Sequence, residues 1–465
     1  MKTLQLTLIL FLLASSYSFG QKGHFKDSTY SMDNYDIFDG LRKARAKKML
    51  EKGDTIKKVK KQKKTYTMAL PVVGYNPFTG LIIGVAGISS FRLGDAKTTR
   101  LSSVVPSYTY TTNKQNVFRV NSSLYTADED YYVFNSVIWS VSPQVTYGVG
   151  GNTSNDWATE ITPSTFSFVL RGYKKFAKNF YVGLNYRLDY KYNLEDNSAM
   201  AMQNIISDGR SQGQSASAVQ STIESKFGVD GYDSFWEQYE ISQAGFEQDY
   251  NSNSSAQELQ QNYYTTPFGY YPYGTQDGGY VYSGAGLNIL FDSRDNINTP
   301  YQGTYANLLV NTYPTWLGST TNSSQMYMDL RHYFKLKENA TQILAFWALA
   351  NITWGDTPYI SMPRIGGDDW FASGRGYTAG RYVGEELLYL EAEYRMNVYK
   401  WFGINFFANA TTVSEIEGGF DYVNPGYGVG FTFRAIKASR STINLDLGKG
   451  KDGSTGVYMR FISAF

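Results

Sequence analysis

Cysteine is absent from the 465-residue chain. That excludes disulfides, thiolate catalysis and zinc–thiolate sites. Histidine is almost absent too, with only His24 and His332 present. A hydrolase built on histidine needs the ring beside its nucleophile or substrate. His24 lies in a polar N-terminal stretch. His332, in "MYMDLRHYF", shares a strand face with Met328, Leu330 and Phe334, opposite Asp329 and Arg331. The "GVGGN" near residue 148 opens no helix, so it is loop and not a phosphate cradle. No enzyme, metal site or cofactor is therefore expected. The net charge of +2 carries no nucleic-acid signature. Beyond the N-terminus no stretch approaches the roughly 20 apolar residues of a spanning helix. Residence in a membrane would then require a barrel.

Aromatic residues are plentiful, with 40 Tyr and 28 Phe against 12 Pro. That balance favours strands and one large β-domain. The start, "MKTLQLTLILFLLASSYSFGQ", has Lys2, an apolar run from Leu4 to Ala14, and small residues at Ser18 and Gly20. It has the form of a secretory signal peptide over residues 1–20, cleaved before Gln21. Residues 21–65 are polar and become basic, ending "RKARAKKMLEKGDTIKKVKKQKK". A solvated, partly helical periplasmic tail is expected, and the alternative is contact with acidic lipid or an acidic partner. The segment is short for a folded domain.

From residue 66 the period becomes two. In "LLYLEAEYRMNV", Leu388, Leu390, Ala392, Tyr394, Met396 and Val398 oppose Leu387, Tyr389, Glu391, Glu393, Arg395 and Asn397. An apolar row opposite carboxylates and a guanidinium suits a strand between lipid and a polar interior. A soluble sandwich would bury the apolar row instead. "GYGVGFTFR" and "TINLDLG" alternate likewise. The chain finishes "GVYMRFISAF", with Val457, Met459, Phe461 and Phe465 on one face, like the terminal strand of outer-membrane barrels. Sixteen strands are expected: 66–75, 81–92, 99–112, 115–126, 129–141, 163–175, 178–193, 278–292, 303–314, 321–336, 341–355, 384–397, 401–412, 424–436, 439–448 and 453–465. All the long connections (142–162, 194–277, 356–383 and 413–423) then fall on one side, which is extracellular. The predicted fold is all-β: a 16-stranded antiparallel transmembrane barrel over 66–465. Segment 194–277, rich in Ser, Gln, Asn, Gly and Tyr, reads as a surface loop with one short helix near 215–227.

Loop 356–383 contains "RIGGDDWFASGRGYTAGRY" and follows the eleventh expected strand. That position and the core Gly374, Arg375, Gly376 and Tyr377 resemble the BamA/TamA family of outer-membrane assembly proteins, in the bacterial surface antigen superfamily. In that family the sixth extracellular loop folds into the barrel, and its Arg-Gly-aromatic tip pairs with acidic residues on the inner wall. Ile365 to Asp368 resemble the approach to that tip. Asp292, Arg294, Pro300 and Gly303 in "FDSRDNINTPYQGTYANL" match a family turn. "PVVGYNPFTGLIIGVAG" resembles its first strand pair. Together with the C-terminal end, these stretches cover most of residues 66–465.

Two departures matter. Asn409 stands at the family's acidic position on the thirteenth strand, where it can accept a hydrogen bond but brings no charge. Glu391 and Glu393 are then the expected ionic partners of Arg375. The POTRA modules of the family are missing, so the resemblance is to a barrel-only member. It implies an outer-membrane protein of a Gram-negative bacterium that assists insertion or translocation of other proteins. Unfolded outer-membrane proteins would be its clients and membrane lipid its surroundings. The seam between first and last strands would open, eased by Gly74, Gly84 and Gly456. The alternatives are a passive channel or structural surface protein, an accessory subunit of a larger assembly machine, or an exposed loop whose arginine is solvated.

Overall fold

A computed structural model describes residues 35–39, 65–76, 80–95, 98–153, 155, 158–227, 243–263, 279–367, 373–415, 418–437, 440–460, 463 and 465. The alternating stretches form one antiparallel sheet of 17 strands. They are β1 (Thr65–Asn76), β2 (Gly80–Phe91), β3 (Ser102–Thr111), β4 (Asn116–Tyr125), β5 (Tyr131–Val141), β6 (Gln144–Thr146), β7 (Thr159–Ala177), β8 (Phe180–Asp196) and β9 (Tyr280–Asp292). Then follow β10 (Gly303–Tyr313), β11 (Ser323–Lys335), β12 (Gln342–Gly355), β13 (Glu386–Tyr399), β14 (Phe402–Val413), β15 (Asn424–Ile436), β16 (Ser441–Lys449) and β17 (Thr455–Arg460). Each of the sixteen expected strands is present. The extra one, β6, has three residues and pairs beside the start of β7.

The registers run as a meander, each long strand pairing with the next. A period of two fixes which side chains turn inward. On β13, Leu387, Tyr389, Glu391 and Glu393 are buried while Leu390 is 60% exposed. On neighbouring strands Tyr427 and Phe406 face out, and Asn405, Phe407 and Asn409 face in. His332 is on the outward side of β11, half-buried, with Nδ1 2.7 Å from the Thr304 hydroxyl.

The sheet curls. Arg100, just before β3, reaches Asp292 at the end of β9 with an Nη1–Oδ2 distance of 2.8 Å. β1 and β17 come alongside each other, with Cα pairs within 8 Å. Among the described residues β1 pairs in register only with β2, and β17 only with β16. The inner space is filled beside β10–β14, where Leu309, Trp347, Tyr389 and Val413 pack with Ile365 and Tyr377 of the loop before β13. At the long-loop end, Gly150 donates its N–H to Val383 at 2.8 Å, and Arg381 donates to the Thr153 carbonyl at 2.6 Å.

Three expectations need correction. Segment 194–277 is not a loop with one helix. It holds α1 (Asn197–Ser211), α2 (Ala216–Phe227), α3 (Gln243–Asn251) and α4 (Ala256–Tyr263). Met202, Ile206, Val219, Ile223, Phe246 and Leu259 give these helices a core of their own. Second, the last strand does not run to residue 465. β17 ends at Arg460, and Phe465 is 2% exposed inside the curl instead of standing in the outer apolar row. Burial of Phe465 against Trp347 and Tyr333 takes it out of the outer row. Third, the tail is not solvated throughout: residues 35–39 seat on the short-turn end. The Ile37 N–H meets the Arg434 carbonyl at 2.9 Å, and Lys437 Nζ meets Asp39 at 2.7 Å. Residues 1–20, with the signal-peptide reading, lie outside the described residues, as do most of 21–65.

Candidate functional site

The loop between β12 and β13 turns into the curl and presents Arg375 to the inner faces of β13, β14 and β16. The guanidinium is 1% exposed. It bonds both Glu391 oxygens, Nε at 3.3 Å and Nη2 more closely, and Nη2 also contacts Glu393. Nη1 lies 3.2 Å from Asp446 Oδ2. The Phe407 ring sits beneath, 3.7 Å from the guanidinium carbon. Arg395 meets Glu393 at 2.6 Å, and Arg460 meets Asp446. Three guanidiniums thus face three carboxylates. A buried ion is tolerated only when paired and hydrogen-bonded, and this network satisfies that condition.

Main-chain geometry explains the glycines around the arginine. Gly376 has φ +111°, and a Cβ there would lie 2.8 Å from the Lys449 carbonyl oxygen. Opposite, a Cβ on Gly448 would lie 2.6 Å from the Gly376 nitrogen. Loop and wall approach at a distance only glycine permits. The Gly376 N–H donates to the Tyr458 hydroxyl at 2.9 Å, and the Ser454 hydroxyl donates to the Gly376 carbonyl at 2.8 Å. The Tyr458 hydroxyl donates to the Tyr377 carbonyl at 2.8 Å. Tyr377 in turn accepts the Lys451 N–H at 2.8 Å and donates to the Pro425 carbonyl. Tyr458 belongs to β17 and Ser454 immediately precedes it, so the loop tip holds the last strand directly. Gly374 has φ +77° and packs over the buried Ile365.

The expected residues therefore divide. Arg375, Glu391 and Glu393 come together. Asn409 is beside them but does not accept from the guanidinium as expected. Its amide donates to the Arg375 carbonyl at 2.9 Å, because the turned-in main chain needs a donor. Asp446 was not singled out, although it stands in the inward row of "TINLDLG". Asp368 and Phe461 lie outside the described residues. Met459 is 40% exposed on the outer side.

The turn residues form a second cluster at the short-turn end. Asp292 takes Arg294 Nε at 2.9 Å and Arg100 Nη1 at 2.8 Å, and Glu129 accepts the Arg100 N–H at 3.0 Å. Gly303 has φ +110° against the Ser293 carbonyl, and Pro300 is buried in the same turn. At the opposite end Glu415 accepts the Gly151 N–H at 2.7 Å. Burial pushes the Glu415 carboxyl above its usual range, although that hydrogen bond opposes the shift.

No family model and no curated protein matches this chain. Among solved structures it is similar to BamA from Haemophilus ducreyi lacking POTRA domains 1–3, at 12% identity and a TM-score of 0.48, over 94% of this chain and 81% of that one. It is similar to CdiB from Acinetobacter baumannii at 10% identity and TM-score 0.45, over 85% of this chain and 60% of that one. CdiB from Escherichia coli matches at 9% identity and TM-score 0.46, over 87% of this chain and 62% of that one.

Proposed function

We propose that the chain is an outer-membrane barrel of the BamA/TamA type, in a Gram-negative bacterium, which assists insertion or translocation of other proteins. The outward rows support membrane residence: Leu184 is 66% exposed, Leu287 62% and Leu390 60%. An apolar band of that kind is stable facing lipid. One observation carries the assisting role. The loop tip that buries Arg375 is bonded to β17, and among the described residues β17 is the shortest of the long strands, with six residues beside the twelve of β1. A short last strand beside an incompletely paired first strand leaves main-chain donors and acceptors at an edge. Such an edge templates an incoming strand. The loop tip is then the clamp that keeps one side of this seam in place. The filled interior beside β10–β14 disfavours the passive-channel reading. Unfolded barrel proteins are the proposed clients, and no catalytic step is assigned to the chain.

Reconstitution into liposomes tests this. A denatured small barrel protein is added, and its acquisition of protease protection is followed over time. Vesicles holding the protein should give faster protection than empty vesicles, and Arg375→Ala should remove the gain. Equal rates with and without the protein would end the reading of an autonomous insertase.

A further inference from the structure

The short-turn end of the curl holds a cavity of about 60 Å³, lined among others by Tyr301, Arg395, Trp401, Thr432, Arg434 and Asn444. The turn before β10 supplies Tyr301, the turn after β13 supplies Trp401, and β13, β15 and β16 supply the rest. Its walls are held by their own bonds. Thr432 donates its hydroxyl to Asn444 Oδ1 at 2.8 Å, and the Asn444 amide donates to the Thr442 hydroxyl at 3.0 Å. Arg434 Nη2 donates to the Tyr301 hydroxyl at 2.5 Å. Arg395 is held on two sides only. Its Nε meets Glu393 at 2.6 Å, and its Nη2 donates to the Phe465 main-chain oxygen at 2.8 Å. Its Nη1 is buried without a hydrogen-bond partner among the described residues. Glu393 is the only carboxylate among the described lining residues, and its oxygens are taken by Arg375, Arg395 and the Asn405 amide.

We propose that this cavity is a binding site for a small free oxyanion, of the phosphate or carboxylate class, held by Arg395 Nη1. Size sets one limit. At roughly 10–15 Å³ for each water, the space takes about four or five water-sized groups, which suits phosphate or a short dicarboxylate. Charge selects within that limit. Two guanidiniums, Arg395 and Arg434, line a cavity whose one carboxylate already serves Arg375. Water would satisfy the open donor, but an excess of positive charge in a confined space favours an anion. A guanidinium N–H also bonds an anionic oxygen more strongly than a neutral one, and burying that N–H with no acceptor is unfavourable. The same side chain joins the site to the loop lock: Arg395 holds Glu393, and Glu393 holds Arg375. An anion in the cavity therefore competes with Glu393 for the Arg395 guanidinium.

Calorimetric titration of the full chain in detergent tests this, with inorganic phosphate and malonate as probes and sodium chloride at matched ionic strength as the reference. Both probes should bind with a saturable isotherm that chloride does not give. Arg395→Gln should weaken phosphate binding at least tenfold. Thr341, in the turn before β12, also lines the cavity. Thr341→Phe narrows the space while leaving the Arg395–Glu393 pair in place, and should weaken binding as much. It carries the test if Arg395→Gln fails to fold. Glu393→Gln removes the competing carboxylate and should bind phosphate at least threefold tighter, an opposite sign that loosened packing would not produce. Dihexanoyl phosphatidate presents the same group on a lipid and should bind no tighter than phosphate. Tenfold tighter binding of that lipid would overturn the assignment to a free ion. Isotherms no different from chloride, or equal phosphate affinity in the unaltered protein and all three variants, would overturn the site itself. These readouts need no insertion activity, so the site and the assisting role stand or fall separately.

Discussion

Arg375 has no solvent to fall back on. Its charge is stabilised by Glu391, Glu393 and Asp446, and theirs by it, with Arg395 and Arg460 completing the neutral set. Breaking a buried pair from one side typically costs about 3–5 kcal/mol. Arg375→Ala should therefore lower the detergent unfolding temperature clearly, whereas Arg375→Lys should recover only part of the loss. A lysine cannot reproduce the bidentate contact with Glu391. Differential scanning of the purified variants checks both. Much of this site was legible in the sequence, because strict alternation put Glu391 and Glu393 on one face and the loop supplied one arginine between glycines. Asp446 obeyed the same alternation but lies 71 residues from its partner. Only the curl of the sheet brings β16 opposite the loop, and no local pattern encodes that. Asn409 meets Arg375 as expected, but at its main-chain carbonyl and as donor, not at its guanidinium as acceptor. An amide both donates and accepts, and the sequence does not say which of its groups the buried main chain will need.

At the scale of elements, the long strands were readable because period-two alternation is a strong signal over the 9–19 residues of all but β17. The four helices described between β8 and β9 were mostly not. Their apolar positions are sparse and set among Gln, Ser and Asn, so each helix alone looks like loop. They become helices by packing on one another, as isolated short helices are marginal. Val219 and Ile223, at 0% and 1% exposure, hold that core together. Val219→Asp buries an unpaired carboxylate there. It should make residues 197–263 protease-sensitive while the sheet keeps its heat-modifiable mobility on gels. Coincident loss of both would show that helices and sheet fold as one unit. The end of β17 was misread for a related reason. "GVYMRFISAF" alternates well enough to continue as strand, but tertiary burial of Phe465 overrides that local preference.

At the scale of the whole molecule, one meander brings its first and last strands alongside each other, and the loop tip is bonded to the last of them. Opening between β1 and β17 is therefore the motion that the proposed assisting role requires. The absence of cysteine makes this testable, since any introduced pair is the only pair of thiols. Cysteines would be scanned in pairs along Thr67–Val73 of β1 and Thr455–Met459 of β17, and the pair that oxidises most completely would be chosen. The rate at which a denatured barrel client gains protease protection in liposomes is then measured before and after reduction. The oxidised protein should perform like empty vesicles and regain its rate when reduced. Full acceleration with the seam covalently closed would contradict the proposed role of β1 and β17.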